Sequence, residues 1–216
     1  MTDGDRAALL VVDVQNDFCA GGALAVPQSD RVVPVLNEHI EEAVARGMTV
    51  YASRDWHPAV TDHFTPYGGT WPPHCVQGTH GACFHPGLHL PSAAILVTKG
   101  ETPNSPGYSV FEGCTSDGAL FLMDLRTRGI THLYVGGLAT DYCIRQSVLD
   151  ALRAGVKVTV LEDAIAGVDL RPGDSARAMT EMREQGAHVA AGSDSLVPEA
   201  TAENSARSAS TRERPG

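Results

Sequence analysis

Cys143 is the side chain in this sequence best placed to act as a nucleophile. It closes the run Gly136-Gly137-Leu138-Ala139-Thr140-Asp141-Tyr142-Cys143, which follows the apolar stretch His132-Leu133-Tyr134-Val135 and precedes Ile144, Val148, Ala151 and Leu152 at helical spacing. The pattern predicts a buried strand that turns directly into a helix, with the cysteine in the first helical turn. Free backbone N–H groups and the positive end of the helix dipole favour a thiolate there, and the thiolate is the reactive form. The N–H groups of Ala139 and Cys143 could hold an oxyanion, as acyl transfer requires. Taken alone, the cysteine could equally be a small buried hydrophobe.

A second group of residues suits a metal. Asp55 and His57 are two apart, so in extended chain both side chains point the same way, and His63 lies six residues further on. One carboxylate and two imidazoles make an O/N site for one divalent ion, zinc, iron or manganese, with positions left open for water or substrate. His74 offers a further ligand or a group that supports the ligands. A competing cluster, His74-Cys75, His80, Cys83 and His85, could instead make a structural zinc knot, although its spacing matches no familiar finger.

The elements that carry these residues follow from hydrophobic pattern. Ala7 to Val12 is a continuous apolar run, as in a central parallel strand covered on both faces, and it ends at Asp13. Ser29 or Asp30 should cap a helix with Val32, Val33, Leu36, Ile40 and Val44 on one face, Pro34 in its first turn and Gly47 after its end. Further strands are expected at 48–52, at 94–97 with Lys99 just beyond, at 132–135, at 156–161 and at 187–190. Helices are expected after a cap at Thr115 or Ser116, after Cys143, and from Pro172 to Gln185. Residues 53–91, rich in Pro, Gly and His, form a long segment of the kind that is usually functional. The alternation implies an α/β fold, a three-layer αβα sandwich around a central parallel sheet of about six strands. Residues 1–196 would be the single domain and 197–216 a disordered tail.

In such a sheet, ligands bind outside the carboxyl ends of the strands. Asp13, Asp55, His57, Lys99 and Cys143 all fall there. Together a thiol, a carboxylate and an ammonium supply a nucleophile, a proton carrier and a positive charge that holds the other two ionised. Each alone has a plainer reading, as a loop cap or a solvated charge.

Composition narrows the function classes. With 216 residues, 43% of them hydrophobic, the chain can bury a full core, and a formal net charge of −10 disfavours a nucleic-acid partner. The acidic start and the interruption of the first apolar run by Asp13 fit neither a signal peptide nor a membrane span, so a cytoplasmic location is expected. Five cysteines, an odd number, argue for reduced thiols over a disulfide framework. The expected partner is a small molecule, with the chain a monomer or a homo-oligomer.

Five ordered motifs carry a resemblance: Val12-Asp13-Val14-Gln15-Asn16-Asp17-Phe18, Asp55-Trp56-His57 through His63, Trp71-Pro72-Pro73-His74-Cys75, Thr98-Lys99-Gly100, and Gly137 through Cys143. Over roughly residues 8–195 the chain resembles the nicotinamidases of the isochorismatase-like cysteine hydrolase superfamily. The resemblance implies a triad of Asp13, Lys99 and Cys143, a metal on Asp55, His57 and His63, with His74 a ligand in some relatives, and hydrolysis of nicotinamide to nicotinate and ammonia. It also implies that Phe18 and Trp71 flank the substrate ring, with Leu138 and Tyr142 in the same pocket, and that a cis peptide precedes Cys143. Tyr142 departs from the histidine often found at its position. Two other readings stay open: a different cysteine amidohydrolase or isochorismatase-type hydrolase on the same scaffold, and a non-catalytic metal-binding or redox-sensing protein.

Overall fold

The computed structural model describes residues 6–192 and 196. The expected tail, 197–216, lies outside the described residues. The run of apolar residues after Arg6 does form the middle of the molecule. Strand β1 (Arg6–Val12) is buried along nearly its whole length, because both its faces are covered. Ala8, Leu10 and Val12 point into one core cluster and Leu9 and Val11 into the other, the alternation that a pleated strand imposes.

Around it lie β2 (Thr49–Asp55), β3 (Ile95–Lys99), β4 (Cys114–Thr115), β5 (Ile130–Leu138), β6 (Lys157–Ala166) and β7 (His188–Ala190), in the order β4-β3-β2-β1-β5-β6-β7. Helix α1 (Ser29–Ala45) packs Val32, Val33, Leu36 and Ile40 on one face of the sheet. The opposite face is covered by α2 (Phe121–Thr127) through Phe121 and Leu125, α3 (Arg145–Arg153) through Val148 and Ala151, and α4 (Asp174–Glu184) through Met179 and Met182. The three layers are as expected. Among the described residues, no helix is long and apolar enough to cross a membrane.

Among the described residues the sheet has seven strands, and one pairing is antiparallel: β4 runs against β3 through Val97–Thr115 and Thr98–Cys114. This edge strand sits where the sequence suggested a helix cap. Thr115 instead donates to Asp117 at 2.5 Å and to the Ala119 carbonyl at 3.1 Å, closing a turn, and α2 begins only at Phe121. Helix α1 likewise has no side-chain cap; Gln28 precedes it in the left-handed region, Pro34 lies in its second turn on the solvent side, and Val44 is 50% exposed. Strands β5 and β6 outrun their apolar runs, β5 through the Gly136-Gly137 pair to Leu138 and β6 through Glu162-Asp163 to Ala166, because backbone pairing continues between them at Gly137–Ile165 and Leu138–Ala166.

The chain leaves β1 towards β2 on one side and returns to β5 on the other, so the strand order reverses beside β1. Ligand sites of open α/β sheets form at such a reversal. Gly137 makes the approach of β5 to β1 close enough there. Its φ is +125°, and a Cβ on it would stand 2.1 Å from the Val12 carbonyl oxygen. Gly137→Ala should therefore destabilise the fold by about 3 kcal/mol or more, combining backbone strain with overpacking. Urea unfolding would check this, and a loss below about 1 kcal/mol would refute the close-packing account.

Candidate active site

Asp13 is the first residue beyond β1, and its φ of 50° is unusual for a side-chain-bearing residue. The bend turns its carboxylate back over the sheet. Ser53 Oγ donates to Oδ1 at 2.7 Å, and the Asp13 N–H donates to the Ser53 carbonyl at 3.2 Å. Lys99, the last residue of β3, is fully buried and reaches across two strand ends. Its Nζ stands 2.8 Å from Asp13 Oδ2 and 2.5 Å from Asp55 Oδ1, donates to the Gly107 carbonyl, and lies 3.6 Å from Cys143 Sγ. The sheet therefore brings Asp13, Lys99 and Cys143 together.

Burial would strip the proton from an isolated ammonium, but the Asp13 and Asp55 carboxylates outweigh it and hold Lys99 firmly charged. Asp55 is also pushed up by burial, and Lys99 and His57 more than reverse this, holding it well below the usual carboxylate range. Asp13 goes the other way: desolvation raises it, Lys99 only partly compensates, and Asp55 adds to the rise. Cys143 is raised well above an ordinary thiol by burial, with Lys99 opposing and Asp13 and Asp55 reinforcing. The expectation of a helix-stabilised thiolate is thus corrected. Cys143 is the fourth residue of a π-helical segment, Thr140–Ile144, and its resting form is the thiol, beside a carboxylate able to take its proton.

The turn before that segment has a cis peptide between Leu138 and Ala139. Ala139 is extended, and its carbonyl accepts from the N–H groups of both Tyr142 and Ile144 at 3.1 Å. Ala139 and Cys143 both face the cavity described below.

His57, His63 and His74 each offer a ring nitrogen within 4.8 Å of the others. The His57 and His63 rings stack at 4.7 Å, and that of His74 stands 5.2 Å from His57 and 5.5 Å from His63. Both ring nitrogens of His57 are buried without a hydrogen-bond partner, the environment of a ligand awaiting a cation. His74 Nδ1 donates to the Pro72 carbonyl at 2.7 Å, leaving Nε2 free to bind. Asp55 Oδ2 lies 3.7 Å from His57 Nε2, so the carboxylate sits between the histidines and the lysine. The compact set is therefore three histidines with Asp55 at its edge, which gives His74 more weight than spacing alone suggested.

Residues that the sequence reading passed over hold this arrangement. The Gln15 side chain donates to the Asp55 carbonyl at 2.8 Å and the Ala82 carbonyl at 2.9 Å, and accepts from the Asp55 N–H at 2.8 Å. Asp17 accepts from the N–H of Cys75 at 2.7 Å, fixing the segment that carries His74. The competing cluster is not assembled: Cys83 is exposed, Cys75 is buried, and the His80 ring lies 3.3 Å from Asn16 Nδ2. Among the described residues, neither of the two candidate ligand groups includes these side chains.

A small cavity joins the two halves. Phe18, Trp71, Tyr142, Ala139 and Cys143 line it, together with His63, His74 and Tyr108. Tyr108 was not foreseen; it accepts from Trp71 Nε1 at 2.8 Å and so fixes the indole. Its signal was an aromatic residue in the Pro-Gly stretch after Lys99. Leu138 is a correction. It is wholly buried in the core cluster of Leu9, Val11 and Leu36, because β5 extends through it and turns its side chain inward.

Comparison with known proteins agrees with this geometry. The isochorismatase domain family matches residues 7–194. A nicotinamidase from Escherichia coli is 46% identical over 83% of this chain and 92% of its own. A nicotinamidase/pyrazinamidase from Mycobacterium tuberculosis is 43% identical over 82% of this chain and 94% of its own. Among solved structures, a pyrazinamidase of Pyrococcus horikoshii in complex with zinc superposes with a TM-score of 0.80 at 41% identity, covering 87% of this chain and 99% of that one.

Burial, then His57 and His74, lower His63 to about 4. The unfolded chain, with an ordinary histidine near 6.5, therefore binds the proton more tightly than the folded one. Stability must fall as pH drops through the window from about 6.5 to about 4 and change no further on this account below it. Chelator-treated protein should show this loss in urea titrations, and His63→Gln should show less of it. An unchanged slope in His63→Gln would mean that the ring is not held in the neutral form.

Proposed function

This chain belongs to the isochorismatase domain family, and from there we propose that it hydrolyses nicotinamide and pyrazinamide to the aromatic carboxylate and ammonia through a thioester on Cys143. One observation carries the reading. A buried lysine holds two carboxylates and a thiol beside an aromatic cavity that is also lined by two histidines, His63 and His74, grouped with a third, His57.

In this scheme Asp13 accepts the Cys143 proton as sulfur attacks the carboxamide carbon. Burial raises the Asp13 carboxyl, which makes it a better proton acceptor than an ordinary aspartate, and Lys99 stays charged beside both groups. The N–H groups of Ala139 and Cys143 receive the developing oxyanion. Asp13 then passes the proton to the departing nitrogen, and ammonia leaves. Next it deprotonates a water that cleaves the thioester, so two moderate barriers replace one high one. Phe18 and Trp71 hold the ring flat, with Tyr108 fixing the indole. His57, His63 and His74, with Asp55 alongside, would hold one divalent ion, zinc, iron or manganese, which supplies a Lewis-acid contact for the ring nitrogen. Zinc is the ion named with the Pyrococcus horikoshii relative. All five thiols are free, which fits the cytoplasmic location that this reading includes.

Ammonia release tests the reading directly. Cys143→Ala should lose roughly 10³-fold or more in kcat, whereas Cys114→Ala should keep its activity. Substantial turnover by Cys143→Ala would rule the thioester out. Benzamide, which lacks only the ring nitrogen, should fall below nicotinamide in kcat/KM by about 10²- to 10⁴-fold on metal-replete protein. Equal values would mean that the histidine half takes no part in selecting substrate.

A further inference from the structure

The cavity beside Cys143 measures about 30 Å³, space for about two water molecules at ~10–15 Å³ each. Small-molecule sites run to roughly 300–1,000 Å³. An aromatic amide can therefore reach the thiol only if a wall moves. The walls are not equally free to do so. Phe18, Trp71, His74 and Ala139 are buried, and Tyr108 is bonded to Trp71. Tyr142 is half-buried, its hydroxyl makes no hydrogen bond among the described residues, and its ring is held only by packing, edge-on to Trp71 at 5.0 Å and tilted to Tyr108 at 6.0 Å. Its backbone, by contrast, is pinned by the bond from its N–H to the Ala139 carbonyl.

On the far side of the Tyr142 ring lies a groove of about 520 Å³ between the start of α3 and α4. Three arginines (Arg145, Arg171 and Arg177) and three acids (Asp141, Asp174 and Glu181) line it; Arg145 pairs with Glu181 and Arg177 with Asp174, while Arg171 makes no ion pair among the described residues. Among the described residues, Tyr142 alone lines both the cavity and this groove. Buried Val26 and Asp55, half-buried Leu24 and Val168, and exposed Pro106 complete the cavity wall, and none of them lines the groove. The ring is thus a partition one side chain thick, on a fixed backbone, between the reactive thiol and a polar groove of mixed charge.

We propose that the Tyr142 ring is the gate and the size filter of this site: its rotation opens the cavity to the groove, by which amides enter and aromatic carboxylates leave. Exposed side chains change rotamer in picoseconds to nanoseconds and packed rings more slowly, both fast beside ordinary turnover. The kinetic part of the proposal rests on Cys143 being the nucleophile; the accessibility part does not.

Alkylation of Cys143 tests it, with iodoacetamide as the small electrophile and N-phenylmaleimide as the bulky one, each site read by peptide mass mapping. The ratio of bulky to small rates cancels any change in the thiolate fraction. For Cys143 this ratio should rise about tenfold in Tyr142→Ala, the scale on which a removed steric block is felt. It should stay unchanged in Tyr142→Phe and Leu24→Ala, and at the exposed Cys83 in every variant. In parallel, kcat/KM for quinoline-3-carboxamide relative to nicotinamide should rise in Tyr142→Ala alone. An unchanged Cys143 ratio in Tyr142→Ala, or an equal rise in Leu24→Ala, overturns the gate. Should Cys19 and Cys75 also become reactive in Tyr142→Ala, the variant has loosened, and Tyr142→Trp decides: its ratio must fall below wild type, and an unchanged ratio overturns the proposal. If the wild type hydrolysed no amide, the labelling ratios would still decide the gate; normal hydrolysis with flat ratios removes the gate alone.

Discussion

A single buried ammonium organises this molecule. Taking Lys99 out of water is costly, and the cost is met only by placing two carboxylates and a carbonyl around one Nζ. Those partners come from three different pieces of chain: Asp13 beyond β1, Asp55 at the end of β2, and Gly107 in the loop after β3. Their convergence fixes the relative heights at which three parallel strands end. It also sets the charge of the site. Burial raises both the thiol and the Asp13 carboxyl, Lys99 opposes this in each, and the Asp55 carboxylate adds to it in each, so the two groups that share the proton respond to the same surroundings.

The sheet supplies the accuracy that this cluster needs. Register between β1 and β2, and between β2 and β3, is set by continuous pairs from Ala8–Thr49 to Asp55–Lys99. A slip of one residue would send every side chain to the opposite face and would put Lys99 beyond reach of Asp13. The histidines are positioned otherwise. His63 and His74 stand on loops, and side-chain braces do for them what the strand ladder does for the triad: Thr61 accepts from the His63 N–H and Asp17 from that of Cys75. The two halves meet at Asp55, one oxygen toward Lys99 and the other toward His57.

Much of this was legible in the chain. Continuous apolar runs located the strands, and the residues just after them, Asp13, Lys99 and Cys143, are the ones the structure gathers. Asp55, His57 and His63 were readable from spacing. Elsewhere the failures share a cause. The edge strand at Cys114 and the extensions of β5 and β6 rest on backbone pairing, which leaves little trace in side-chain pattern. The cap expected at Thr115 was a turn because a hydroxyl bonds local backbone equally well in either setting. The resemblance implies Leu138 in the pocket, whereas β5 continues through it and its side chain lies in the core. Tyr108 and Gln15 act through hydrogen bonds across the fold, so a lone aromatic after Pro-Gly and an amide after a strand mark their places without disclosing their partners. The thiolate was misjudged because dipole arguments from sequence omit desolvation, which here outweighs them.

Gln15 shows what such a brace implies. A side-chain amide carries the donor and the acceptor of a peptide group, and this one stands where a neighbouring strand's next residue would, so β2 keeps a partner after β1 has bent away. Its nitrogen faces two carbonyl oxygens and its oxygen faces an N–H. Glutamate has almost the same outline, yet it would set a second negative oxygen against those two carbonyls. What this position demands is polarity rather than shape, and a comparison by size or hydrophobicity would miss it.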